Sequence, residues 1–262
     1  MIACIIQARM SSGRLPGKVL APIAGIPMIR RVVDRCMQVR GLMIPGVGRI
    51  IVAVPAAAES DPLISYLQKT YAETEIEIYP GDKNDVLQRY AKAAAEYDAD
   101  TVIRITADCP LIDPVVIENV LAFHAYGGYD YTTNRPGYPD GMDVEVMTVE
   151  ALAASVTETN KLSGTNFGIK AGRNWMPRWR EHVTTWLREV GCRSITGWEQ
   201  PRFQKGELTS DVAFPGLKLS VDTESDRLFV EAVIERWGDA AGMNEVPDIY
   251  EWAKAEGKLG AV

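Results

Sequence analysis

Only two histidines occur in the 262 residues, and no apolar run approaches the ~20 residues that a membrane-spanning helix needs. The four cysteines, Cys4, Cys36, Cys109 and Cys192, are scattered and form no Cys-x-x-Cys pair. That argues against a zinc site or a disulfide framework and suits reduced thiols in a cytoplasmic protein. The N-terminus lacks a basic segment followed by a long apolar one, so no secretory leader is expected. Basic residues are outnumbered, 28 Lys and Arg against 35 Asp and Glu, for a net charge of −7. A general nucleic-acid binder usually has the opposite sign. A P-loop is also missing, because Gly13 and Gly17 have the wrong spacing and Val19 follows Lys18. What remains is a chain with 47% hydrophobic and 24% charged residues, ordinary for a globular protein and long enough for one large α/β domain or two small ones.

The first half alternates strand and helix signals. Ile2–Ile6, Arg49–Pro55 and Thr101–Thr106 are short, mostly apolar runs expected as strands, and Glu75–Tyr79 alternates as a strand should before Pro80-Gly81-Asp82 breaks the chain. Pro27–Val39, Ser60–Tyr71, Asp85–Tyr97 and Pro114–His124 carry helical spacing. Ser60 or Asp61 is a candidate cap for the second of these. Four alternations imply a mainly parallel sheet covered by helices, a three-layer α/β fold whose ligands sit at the carboxyl ends of its strands. In the second half, Tyr129–Thr133, Met142–Met147 and Lys218–Val221 are expected as strands. Val149–Thr157, Glu181–Val190, the stretch from Thr223 or Ser225 to Trp237, and Val246–Glu256 are expected as helices. Asn160–Arg180 shows no period and is expected as a loop or arm. No internal repeat or linker divides the chain, so residues 1–262 are taken as one domain.

Three segments carry candidate chemistry. The loop after the first strand packs Arg9, Arg14 and Lys18 with Ser11, Ser12, Gly13 and Gly17. Clustered cations and backbone N–H groups suit a polyphosphate, although composition alone leaves open a solvated basic loop. Asp108 and Asp222 each follow a predicted strand, where an acid can hold Mg²⁺ beside phosphates or merely cap the next helix. The alternation in Met142–Met147 puts Asp143 and Glu145 on one face, and buried carboxylates there need partners such as His182 or an arginine. An exposed edge strand is the simpler alternative. Trp175, Trp179 and Trp186 could form a sugar platform or pack an arm.

The stretch IIQARMSSGRLPGKVLAPIAGIPMI closely resembles the N-terminal signature of sugar-acid cytidylyltransferases, which include the synthetases of CMP-Kdo and CMP-sialic acid. It is most similar to the spore-coat polysaccharide biosynthesis type. The resemblance extends through GDKNDVLQR, TADCPLID, DGMDVEV, REHVT and SVDTESD. It implies a nucleotide-diphospho-sugar transferase type of fold. It implies that Arg9, Arg14 and Lys18 contact the phosphates of CTP and act in catalysis, with Ala8 and Arg9 beside the nucleoside and Ser11, Ser12 and Gly13 in the wrapping loop. It puts Asn84 and Asp85 near the base, with Thr106 and Ala107 where relatives carry Gln and Gly. Asp108 and Asp222 would hold Mg²⁺, and Asp143, Glu145 and His182 would lie on the side of a small anionic acceptor. A homodimer, with an acceptor-binding or dimerisation arm around residues 129–200, is also implied. The expected activity is transfer of CMP to an acidic sugar, phosphonate or phosphate with release of pyrophosphate. The alternatives are a glycosyltransferase using a nucleotide sugar, whose metal motif could only be Asp98-Ala99-Asp100 or lie near Asp211, and a non-catalytic nucleotide-binding protein.

Overall fold

Ile2–Gln7 (β1) is the hub of the sheet, and its sequence explains why. Ala3, Cys4, Ile5 and Ile6 are all fully buried, so both faces of the strand must be covered, as in the middle of a parallel sheet. In the computed structural model, which describes residues 1–163, 175–193 and 201–260, β1 pairs in parallel with Gly48–Pro55 (β4) on one side and Thr101–Thr106 (β6) on the other. Glu77–Gly81 (β5) adds in parallel at the edge beyond β4. Beyond β6, Glu145–Thr148 (β8) runs antiparallel, followed by Tyr131–Thr133 (β7) and Lys205–Glu207 (β9). Among the described residues the sheet has seven strands in the order β5-β4-β1-β6-β8-β7-β9, and a two-stranded ribbon joins Pro22–Ile23 (β2) to Ile26–Pro27 (β3).

Helices cover both faces. Met28–Cys36 (α1), Asp61–Thr70 (α2), Pro114–Gly127 (α4), Glu224–Trp237 (α7) and Val246–Ala255 (α8) contribute to the apolar layer built on Cys4, Ile6, Ile50, Val52, Ile103 and Ile105. Val86–Glu96 (α3) and Val149–Ser163 (α5), with Trp186 and Leu187, cover the opposite face on Ala3, Ile5, Ile51 and Val102. The alternation along each strand thus divides one sheet between two cores. Trp175–Glu181 (α6) packs against α3 and α5. Among the described residues no helix is long and apolar enough to cross a membrane.

Several expectations need correction. Pro80 and Gly81 do not break the chain but complete β5, and Pro80 is tolerated because β5 is an edge strand. Ser60 precedes α2 without a side-chain capping bond. Lys218–Val221 is not a strand: one bridge joins Lys218 to Asp140, supported by Leu219 N–H donating to the Asp140 carbonyl at 2.6 Å. The Met142–Met147 strand begins only at Glu145, and β8 is interior rather than an edge. The helix expected over Glu181–Val190 breaks after Glu181, and Leu187–Gly191 is a π turn. The irregular arm is helical at both ends, in α5 and α6, while residues 164–174 lie outside the described residues, as does the side chain of Trp175.

Candidate active site

A cleft of about 230 Å³ opens at the carboxyl ends of β1 and β6, lined by Arg9, Ser12, Gly13, Arg14, Lys18, Thr106, Ala107, Asp108 and Asp222, together with Gln7 and Val19. Its centre is Lys18. Gly17 adopts φ +72°, a left-handed turn natural to glycine, and the Lys18–Leu20 turn follows at once. The turn directs the Lys18 ammonium into the sheet end, where only a tenth of the side chain stays exposed. Its three protons meet three acceptors: Asp108 Oδ2 at 3.0 Å, Asp222 Oδ1 at 3.0 Å and the Val221 carbonyl at 2.7 Å.

Asp222 collects more cations. Arg14 lies 3.0 Å and Lys218 3.1 Å from its Oδ2. Burial opposes its ionisation, but hydrogen bonds from Lys18 and Lys218 outweigh burial and hold the carboxyl below its ordinary value. Asp226 is also held low: Lys218 and the N–H groups of Asp222 and Thr223 overcome its burial. Asp226 and Thr223 form a capping box at the start of α7, which makes Asp226 a structural anchor for the Asp222 turn. Val221 N–H donates to the Asp108 carbonyl at 2.8 Å, so the two acids are joined through backbone as well as through Lys18.

The remaining expected residues divide. Ala8 is buried beneath the loop, donating its N–H to the Ala53 carbonyl at 3.1 Å, and Ser11 is exposed outside the cleft lining. Asn84 is exposed, and its N–H and that of Asp85 each donate to Asp82 Oδ1 at 2.8 Å, which holds the Asp82 carboxyl below its usual value. Asp85 caps α3 through the Gln88 N–H at 2.9 Å and pairs with Arg180 of α6. On the acceptor side, Asp143 pairs with Arg135 at 3.1 Å. Glu145 is fully engaged: Arg104 donates at 2.5 Å, Thr184 at 2.7 Å, and the Tyr131 hydroxyl also donates to it. Burial would raise the Glu145 pKa, yet Arg104, Thr184 and Tyr131 keep it below its ordinary value. Glu145 therefore braces the sheet end rather than facing the cleft. His182 is exposed in the turn after α6, next to Glu181, which lies 3.8 Å from Arg9. Trp179 donates to Glu189 at 2.9 Å and Trp186 is buried against Phe203, which favours packing over a platform. Asp98-Ala99-Asp100 precedes β6, with Asp100 N–H on the Met1 carbonyl, at the end of the sheet away from the cleft.

Lys218 and Arg135 were not singled out by sequence reasoning. Lys218 left a signal in its spacing of four and eight residues from Asp222 and Asp226; Arg135 left none. Asp108 and Asp222 offer hard oxygen donors. Among the described residues no group of three or more His, Cys, Asp or Glu side chains converges as a metal cage. Two carboxylates beside a phosphate cradle nevertheless fit Mg²⁺, which keeps most of its shell for phosphate and water.

Comparison with known proteins gives the family and the fold. The cytidylyltransferase family profile matches residues 3–162. The spore coat polysaccharide biosynthesis protein SpsF of Bacillus subtilis is 26% identical over 91% of this chain and 88% of its own. A 3-deoxy-manno-octulosonate cytidylyltransferase of Anaeromyxobacter sp. is 33% identical over 54% of each chain. The structure of a cytidylyltransferase from Leptospira borgpetersenii superimposes with a TM-score of 0.77 at 22% identity, covering 100% of this chain and 98% of its own, and so shares its fold.

Proposed function

The chain belongs to the cytidylyltransferase family, and from that premise we propose that it transfers CMP from CTP to an acidic sugar, or to a related phosphonate or phosphate, releasing pyrophosphate. The observation that carries this reading is the Lys18 ammonium joining Asp108 and Asp222 within a cleft that Arg9 and Arg14 also line. Lys18, Arg9 and Arg14 neutralise the triphosphate, and the backbone at Ser12 and Gly13 wraps it. Thr106 and Ala107 border the nucleoside. Asp108 and Asp222 are the residues that would hold Mg²⁺, which when bound supplies positive charge to the phosphates. The acceptor approaches from the Asp143 and His182 side, its site stiffened by Glu145. The chemistry rests on positioning and charge neutralisation. Residues 1–262 act as one nucleotidyltransferase domain in a cytoplasmic homodimer, a state that sedimentation would check.

A pyrophosphate-release screen tests the reading: four nucleoside triphosphates against sugar acids, sugar phosphates and phosphonates, with and without Mg²⁺. Release with CTP and an acceptor, dependent on Mg²⁺, supports it. CTP binding without release for any pair overturns it in favour of a binding protein. Nucleoside diphosphate release from a nucleotide sugar favours glycosyl transfer instead.

A further inference from the structure

Asp143 is a carboxylate that the phosphate cradle does not use. The β6–β8 ladder ends at Arg104 and Glu145, and two residues beyond that last pair come Asp143 on one segment and Thr106, a residue of the cleft wall, on the other. Its backbone is rigidly held. Asn134, fully buried, donates to the Met142 carbonyl at 2.8 Å and accepts from Val144 N–H at 2.8 Å. Gly141 adopts φ +102°, and a Cβ there would meet Leu219 and Ser220 backbone at 2.5 Å, so only glycine lets this loop lie against the segment leading to Asp222. Asp140 completes the stitch by accepting from Leu219 N–H. Asp108, Asp222 and Asp143 thus stand on three adjoining segments.

The Asp143 side chain is 17% exposed. Its Oδ1 is a buried oxygen that lies 3.1 Å from Arg135 Nε and has no hydrogen-bond partner, so this acid, unlike Glu145, is incompletely satisfied. We propose that Asp143 is the general base that takes the proton from a hydroxyl of the acceptor. This inference rests on the cytidylyltransferase reading and sharpens it, because it requires a hydroxyl-bearing sugar acid rather than an acceptor whose attacking oxygen has no proton. In the step, the acceptor oxygen forms a bond to the α-phosphorus, the bond from that phosphorus to the β-phosphate bridging oxygen breaks, and pyrophosphate leaves. The hydroxyl proton passes to Asp143, which returns it to solvent. The surroundings suit a base near neutrality. Burial raises the Asp143 pKa to about 6, Arg135 opposes the rise, and Asp140 and Glu145 add to it. Burial first, and then the charge of Asp108, push the Cys109 thiol up, and Asp143 adds to the rise.

The test uses the full chain, Mg²⁺, CTP and the best acceptor from the pyrophosphate screen. Asp143→Asn is expected to lower kcat on the order of 10²–10⁴-fold and to leave KM for CTP unchanged. The wild-type pH–kcat profile should show an acidic limb near pH 6 that Asp143→Asn lacks, and Asp143→Glu should restore part of the rate with a limb. Infrared titration gives an independent readout: a protonated-carboxyl band lost between about pH 5 and 7, absent from Asp143→Asn. An Asp143→Asn enzyme with wild-type kcat and an intact acidic limb overturns the proposal. So does a screen in which only acceptors without a proton on the attacking oxygen react. A screen with no active acceptor overturns the cytidylyltransferase reading itself.

Discussion

Two ionic clusters meet at the end of β6, four residues apart in the chain, and they are built in opposite ways. Around Asp108, three cations (Lys18, Arg14 and Lys218) are shared by three acids, and Arg14 keeps 65% of its side chain exposed. Around Arg104, both oxygens of Glu145 are filled by Arg104, Tyr131 and Thr184, and the Glu145 side chain is 5% exposed. The first cluster is open to solvent through Arg14. In the second, every oxygen of the acid is filled. Similar residue types therefore line an open cleft in one place and make a structural brace in the other, and the difference is how far their charged groups reach solvent.

The largest effect that can break this contrast is on turnover. Asp108→Asn or Asp222→Asn is expected to lower kcat by about 10³-fold or more, of the order seen when preorganised electrostatic groups are removed. Thermal unfolding should stay close to wild type, because both sites are partly exposed. Near-normal turnover in both variants would remove the metal assignment. In the closed cluster the effect should move to stability. Glu145→Ala strands the largely buried Arg104 charge and is expected to cost about 3 kcal/mol in urea unfolding. The folded-state pKa of Glu145 is depressed, so its contribution is present above about pH 4.5, the ordinary value, and is lost as pH falls through the folded one. A Glu145→Ala chain with wild-type stability would show that the brace is dispensable.

Asp143 lies between the two clusters and sharpens the comparison with an effect of the opposite sign. Its folded pKa, about 6, is above the ordinary 3.8, so its charge costs stability that is fully felt above pH 6 and absent below about pH 4. Asp143→Asn should raise the melting temperature at pH 8, by at most about 3 kcal/mol of stability, and leave it unchanged below pH 4. Equal effects at both pH values would mean that packing, not charge, decides. The smallest effect belongs to Glu181→Ala. It removes a 3.8 Å contact to Arg9 in which both side chains are about half exposed, and a change in stability below about 0.5 kcal/mol is expected. A larger loss would assign Glu181 to the closed class.

The contrast also marks what could be read from sequence. The parallel half was legible because β1 and β4 are apolar on both faces, β6 is apolar on one, and all stand between helices with clear periods. The Lys18 loop and the two acids were legible as residue types at strand ends. What escaped depends on partners far along the chain. Lys218 and Leu219 are held by Asp140 rather than by a neighbouring strand, so their alternation promised a pairing that amounts to one bridge. The helix expected through Glu181–Val190 breaks where Thr184 turns its hydroxyl to Glu145, 39 residues earlier. No local propensity records such a tie. The identity of Glu145 as a brace, rather than an acceptor ligand, was hidden for the same reason.

The Lys18 tie has a consequence for how the chain reaches its native state. Its partners lie 90 and 204 residues downstream, while β1 pairs with β4 and β6, all within the first 106 residues. Contacts across such separations close large loops and form late. The parallel strands β5, β4, β1 and β6 can thus assemble on the ribosome well before Asp222 emerges, and the cleft is complete only once the last third of the chain has docked. Completion of the cleft is then a timer for completed synthesis, and a truncated product can hold its parallel strands yet lack the Lys18 tie.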